Sequence, residues 1–268
     1  MRKMLYVSIV GLLLGNISAF INKESYRDLH QDAFTKGEYL QYRLHYGVIS
    51  AGEAEITVDS KLYKVNDRIC YHTNVNGYTT GTFDLFLRIR DKFGVYIDTS
   101  AIIPQKGYRF IQEGNFKMKD ITRYDHVNNV AYPEVDGKEK KTYKIPENVQ
   151  ELVSGYYFLR TVDYNKMQIG DTIKMNAFYE DSTYKFNLKY LGKTNLTTRM
   201  GKFKAILLSP IMPENRLFKG ENSIKFYISD DKNRIPLKVK AEMFVGAVEV
   251  DIKQYSGMRN PIIAPIVR

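Results

Sequence analysis

Tyr39-Leu40-Gln41-Tyr42-Arg43-Leu44-His45-Tyr46 alternates apolar and polar side chains, and Ala54-Glu55-Ile56-Thr57-Val58-Asp59 resumes the alternation after a short break. A β-strand turns successive side chains to opposite faces, so Leu40, Tyr42, Leu44 and Tyr46 share one face while Gln41, Arg43 and His45 take the other. Val48-Ile49-Ser50-Ala51-Gly52 supplies the bend between the two runs, which together predict a hairpin with one buried face.

Working outward, the same period of two recurs at Ile69–Val75, Phe83–Arg90, Phe93–Asp98, Tyr108–Gln112 and Phe116–Tyr124, separated by Gly, Pro, Asn or Asp. Tyr184, Phe186, Leu188 and Tyr190 repeat it in the second half, and Ile224, Phe226 and Ile228 lead into the turn Asp230-Asp231-Lys232-Asn233. Ile235, Leu237, Val239 and Ala241 follow, and Val248, Val250 and Ile252 close the series. Many strands joined by short polar turns bury their apolar faces by folding sheet on sheet or by curling, so the expected fold is all-β and mainly antiparallel. It is either a curved sandwich or a partly open β-barrel. With 21 Tyr, 14 Phe and no Trp, the chain can line such an interior with rings whose hydroxyls stay wet.

One segment departs from this period. Val149, Leu152, Val153, Tyr156 and Leu159 are spaced by threes and fours after Pro146-Glu147-Asn148, which predicts one amphipathic helix over 148–162 with Asn148 and Glu151 as its cap. A lone helix in an all-β chain plugs a barrel or covers a sheet. Its Tyr156, Tyr157 and Phe158 are either ligand contacts or plain core packing, and Arg160 either meets an anionic head group or, more in keeping with its setting, joins a surface or core-edge ion pair.

The chain begins with Met1-Arg2-Lys3, an uncharged apolar run from Met4 to Leu14, and Ile17-Ser18-Ala19. This is the form of a signal peptide cleaved near Ala19, and the run is too short for a membrane span. The expected organisation is a signal over 1–19, a leader over 20–36, a single β-rich domain over 37–258 and an extended tail over 259–268. Pro261 and Pro265 keep that tail out of helix or central strand. Export places the protein in the periplasm or on the periplasmic face of an outer membrane, with no transmembrane span in the mature chain.

Without Arg2 and Lys3 the chain carries 38 Lys+Arg against 30 Asp+Glu, a net of +8, so its field favours anionic partners. The lysines are scattered among acids and no nucleic-acid-binding motif is present, so nucleic acid is not expected. Cys70 is the single cysteine, which excludes an internal disulfide, and its strand setting reads as a small buried hydrophobe and not as a nucleophile paired with His72. His30, His45, His72 and His126 lack metal-ligand spacing, and no nucleophile elbow or phosphate loop occurs. No catalytic residue, metal or cofactor is assigned. Asp230, Asp231 and Asn233 bring oxygen atoms to one turn that a cation could touch, although Asp and Asn are also the usual turn residues.

The blocks Gly37–Tyr42, Tyr46–Ala54, Tyr156–Arg160, Tyr227–Leu237 and Phe244–Val248 together resemble one family of exported bacterial proteins, domain of unknown function 3108 (DUF3108). The resemblance implies an exported β-rich protein and carries no active site. Together these readings point to a non-enzymatic envelope protein that holds an apolar or amphipathic ligand, a lipid or glycolipid, in a β-rich cavity. An envelope scaffold or assembly factor that docks protein partners is the alternative, and a glycan or peptide hydrolase would need acids converging in a cleft.

Overall fold

The computed structural model describes residues 26–212 and 222–262. The expected signal over 1–19 lies outside them, as do 263–268 of the expected tail. The hairpin is present as β1 (Tyr39–Tyr46) and β2 (Ile49–Val65), antiparallel from Tyr39 opposite Thr57 to Tyr46 opposite Ile49. Its turn is tighter than the expected bend: only Gly47 and Val48 separate the strands, and Gly47 adopts a φ of 55° that disfavours a side chain.

From β2 the chain meanders through β3 (Arg68–Thr79), the short helix α1 (Gly81–Phe86), β4 (Arg90–Asp98), β5 (Pro104–Glu113), β6 (Phe116–Asp125) and β7 (Val130–Val135), each strand antiparallel to its predecessor. Two short strands, β8 (Lys138–Glu139) and β9 (Tyr143–Lys144), pair with β7. After helix α2 (Leu152–Leu159) comes β10 (Thr172–Ile173), then a separate hairpin of β11 (Asn176–Tyr179) and β12 (Ser182–Lys185). A second meander follows in β13 (Leu188–Thr198), β14 (Gly201–Pro210), β15 (Ile224–Ser229), β16 (Pro236–Glu242) and β17 (Ala247–Ser256). The last strand returns to the first: β17 pairs with β1 along its whole length. This joins the two meanders into one sheet of 15 strands, ordered β10-β13-β14-β15-β16-β17-β1-β2-β3-β4-β5-β6-β7-β8 with β9 branching off β7, whose ends do not pair with each other. The fold is thus an all-β, open, barrel-like sheet.

Helix α2 sits in the concavity. Its Val153 and Tyr157 pack with Val58, Val95 and Ile97 of the first meander, while Leu159 packs with Leu188, Ile206 and Ile228 of the second. A third cluster under β1, β16 and β17 gathers Leu40, Tyr42, Leu237 and Ile252, and Tyr156 packs against it. One helix therefore contacts both flanks of the sheet, which accounts for the curl: each flank buries its apolar face on the same element.

The helix is shorter than the expected 148–162. Asn148 takes a left-handed φ of 54°, and Gln150 bridges to Ala177 of β11 with its amide donating to the Asn176 carbonyl, so the backbone is extended until Glu151. Glu151, not Asn148, is the cap, and it exchanges hydrogen bonds with Ser154 in a capping box. The expected stripe also fails at Leu152, which is 58% exposed, because a helix enclosed by a sheet is buried on most sides and needs no single apolar stripe. Two strand expectations are corrected as well. Phe83–Arg90 opens inside α1, held by Asp84, which accepts from Thr79 Oγ1 and Arg90. The run through Tyr184 and Tyr190 breaks at Phe186, whose amide donates to the Met175 carbonyl and ends β12.

Candidate functional site

The residues expected to meet a ligand lie in the packed concavity. Tyr157 is fully buried against Phe34, with ring centroids 4.6 Å apart, and burial raises its pKa well above the usual phenol range. Tyr156 is half-buried and its hydroxyl lies 3.1 Å from that of Tyr42. Phe158 is half-buried beneath the Arg27 guanidinium, 4.6 Å from the ring centroid.

Arg160 is fully buried at the end of α2. Its guanidinium forms a two-point ion pair with Glu38 at 2.5 and 2.7 Å and donates to the carbonyls of Ala33 and Asn233, each at 3.0 Å. Burial alone would lower its pKa, but the facing Glu38 carboxylate outweighs that and raises it. Five donors in a fixed fork suit Arg to this knot better than Lys. Glu38 was not singled out in the sequence as a site residue; its place before the first strand, inside the Gly37–Tyr42 family block, is the signal it left.

The turn after β15 joins the same knot. Asp231 Oδ1 accepts from the amides of Asn233 and Arg234 and from Ser229 Oγ, while Asp230 faces Lys193 at 2.9 Å. Asn233 is fully buried and exchanges hydrogen bonds with the backbone of Asn260 in the tail. Asp230, Asp231 and Asn233 thus spend their oxygens on three different partners and do not converge on one point. Leader, α2, turn and tail are clasped together at one end of the sheet.

Other titratable groups gather in two places. His45, Glu249 and Asp251 come together on the outer face of β1 and β17, but the Lys238 ammonium already stands 2.7 and 3.0 Å from the two carboxylates. A cleft on the concave side is lined by Arg109, Asp120, Tyr124, Glu151, Phe178 and Glu180. Burial pushes the Glu151 carboxyl up to about 7 against the opposing pull of Ser154. Asp120, however, is bound to Arg109, and Glu151 is bound to the helix N-terminus, so each acid has a structural partner.

The surface feature that stands out is the other end of the sheet. Five successive chain reversals there carry large exposed apolar side chains: Ile211 and Met212 after β14, Phe244 and Val245 between β16 and β17, Val48 and Ile49 between β1 and β2, Leu85, Phe86 and Leu87 around α1, and Phe116 at the start of β6. Leu85, Phe86 and Val245 are 86%, 85% and 77% exposed. Backbone hydrogen bonds tie these reversals into one rim: Glu242 to Ser223, Gly47 to Ala247, Thr80 to Ala51 and Gly114 to Arg88. The reversals at the clasped end are built mostly from Asn66-Asp67, Thr99-Ser100, Asn128-Asn129 and Asp230–Asn233, the usual chemistry of turns, with Val127 as an exposed apolar exception. In the sequence the rim showed itself only as apolar residues beside turn glycines, Gly47-Val48-Ile49 at the predicted bend and Phe244-Val245-Gly246 in a family block.

Among the described residues no helix is long and apolar enough to cross a membrane. No curated protein matches the sequence. Among solved structures, the chain is similar to a β-barrel-like protein of domain of unknown function DUF1849 from Brucella abortus, at 9% identity and a TM-score of 0.54 over 84% of this chain and 99% of that one. That likeness is one of fold. A hypothetical protein from Chlamydia trachomatis matches at 9% identity and a TM-score of 0.37, over 87% of this chain and 93% of that one. The family model described as protein of unknown function (DUF3108) matches residues 41–253, and the chain belongs to that family.

Proposed function

We propose that this is a non-enzymatic, exported envelope protein that works by docking on an apolar or amphipathic target through the rim. The observation that carries this reading is the asymmetry between the two ends of one sheet. Large apolar side chains in solvent-facing turns forgo burial, and a contiguous group of them marks a contact surface. The concavity, where a bound lipid or glycolipid was expected, is occupied by α2 and the buried Glu38–Arg160 pair, so the amphipathic partner is reassigned from the interior to the rim. A docking role also fits the scaffold alternative, while the hydrolase alternative gains no support from acids that are each held by a structural partner. Export rests on the basic start, short apolar run and Ile17-Ser18-Ala19 of the sequence.

Cell fractionation tests the reading. The wild type should sediment with envelope membranes, and Leu85→Glu with Phe86→Glu should move it to the soluble fraction without changing its melting temperature. N-terminal sequencing of the envelope form should begin close to Phe20. A variant that stays with the membranes as the wild type does would overturn the docking role.

A further inference from the structure

We infer that the target of the rim is an anionic lipid surface, an assignment that rests on the docking reading above and names its partner. Charge decides between the candidates. The apolar side chains of α1 and Phe116 are flanked by exposed Arg88, Lys117 and Lys119. These belong to the same stretch of rim, since the Gly114 amide donates to the Arg88 carbonyl at 2.8 Å and Ile89 bridges to Glu113. Against these three bases stand Asp84, already held by Arg90 at 2.7 Å, and the exposed Glu113, so the local balance stays positive. Further round, Glu242 is matched by Lys225 and Lys240 at 3.6 and 3.2 Å and adds no free negative charge.

A second copy of the chain would bring an equally basic rim against this one, and with a net charge of +8 on each chain without the expected signal the approach is repelled. A bilayer carrying anionic head groups offers the complementary arrangement. Apolar side chains enter the boundary between head groups and acyl chains, while Arg and Lys remain at the level of the phosphates. Turns suit this geometry because they project furthest from the sheet, so side chains from several reversals can enter together without unfolding a strand. The clasped polar end then faces away from the membrane.

Vesicle co-sedimentation of the protein, purified as its host makes it, tests the assignment. The probes are vesicles of phosphatidylethanolamine with phosphatidylglycerol and vesicles of phosphatidylcholine alone. The wild type should partition onto the anionic vesicles and far less onto the neutral ones, and added salt should reduce the difference by screening. Leu85→Glu with Phe86→Glu and Val245→Glu should lower partitioning by at least about tenfold, since several apolar groups are lost from the interface. Arg88→Glu with Lys117→Glu should remove the preference for anionic lipid. Should the first set fail to fold, Val48→Glu with Phe244→Glu repeats the test at two other turns.

A wild type that ignores anionic vesicles, or binds them equally well after the apolar substitutions, overturns the lipid assignment. So does a rim-dependent dimer formed without lipid. If the wild type ignores vesicles while rim variants still leave the envelope fraction, the docking reading stands with a protein partner. If neither changes, the docking reading falls as well.

Discussion

Arg160, read from the sequence as a head-group contact or an ion-pair partner, holds the fold together through an ion pair. It ends the helix, pairs with Glu38 at 2.5 Å and reaches the backbone of both the leader and the β15–β16 turn. Its ring neighbours Phe34 and Tyr157 lie within 5.3 Å of the guanidinium carbon. Removing one partner of a buried pair leaves the other charge without compensation, which costs about 3–5 kcal/mol. Arg160→Met should therefore lower unfolding stability by that amount in urea titration. Adding Glu38→Gln to it should recover part of the loss, because the stranded carboxylate is gone. Equal stability of Arg160→Met and the wild type would remove the clasp from the account of this fold.

At the scale of the element, α2 depends on an acid whose ionisation opposes it. Glu151 caps the helix and exchanges hydrogen bonds with Ser154, yet burial raises its carboxyl from 4.5 to about 7. Because the folded state holds the proton more tightly than the unfolded state, the stabilising contribution is complete below about pH 4.5 and is lost as the pH rises through about 7. The wild type should thus lose stability between pH 5 and 8, on the order of 2 kcal/mol once the solvent in the cleft has taken its share. Glu151→Gln keeps an acceptor for the Ser154 amide but cannot ionise, so its melting temperature should change less over the same range. Parallel pH profiles for the two proteins would show that Glu151 is not the group responsible.

The whole molecule is one sheet with its first and last strands side by side, so its stability should be a property of the entire sheet. Cys70 offers a direct reading. It is fully buried in β3, and burial together with Asp98 pushes its thiol up to about 12. Labelling by a thiol reagent should await global unfolding and slow by several orders of magnitude relative to a free thiol, as expected for a domain stable by about 5–15 kcal/mol. Rapid labelling of the native protein would mean that β3 opens locally. The sequence by itself determined the strands with one buried face, such as Tyr39–Tyr46, and the position of a helix around Tyr156 to Leu159, because alternation and helical spacing are local consequences of backbone geometry. It also carried the family, through blocks such as Tyr227–Leu237. Only the tertiary structure decided that Arg160 meets Glu38, 122 residues away, that β17 returns to β1, and that Val48, Leu85 and Val245 share one rim. Periodicity states which face of a strand is apolar but not which end of the sheet its turns reach, and pairing between distant segments sets that end.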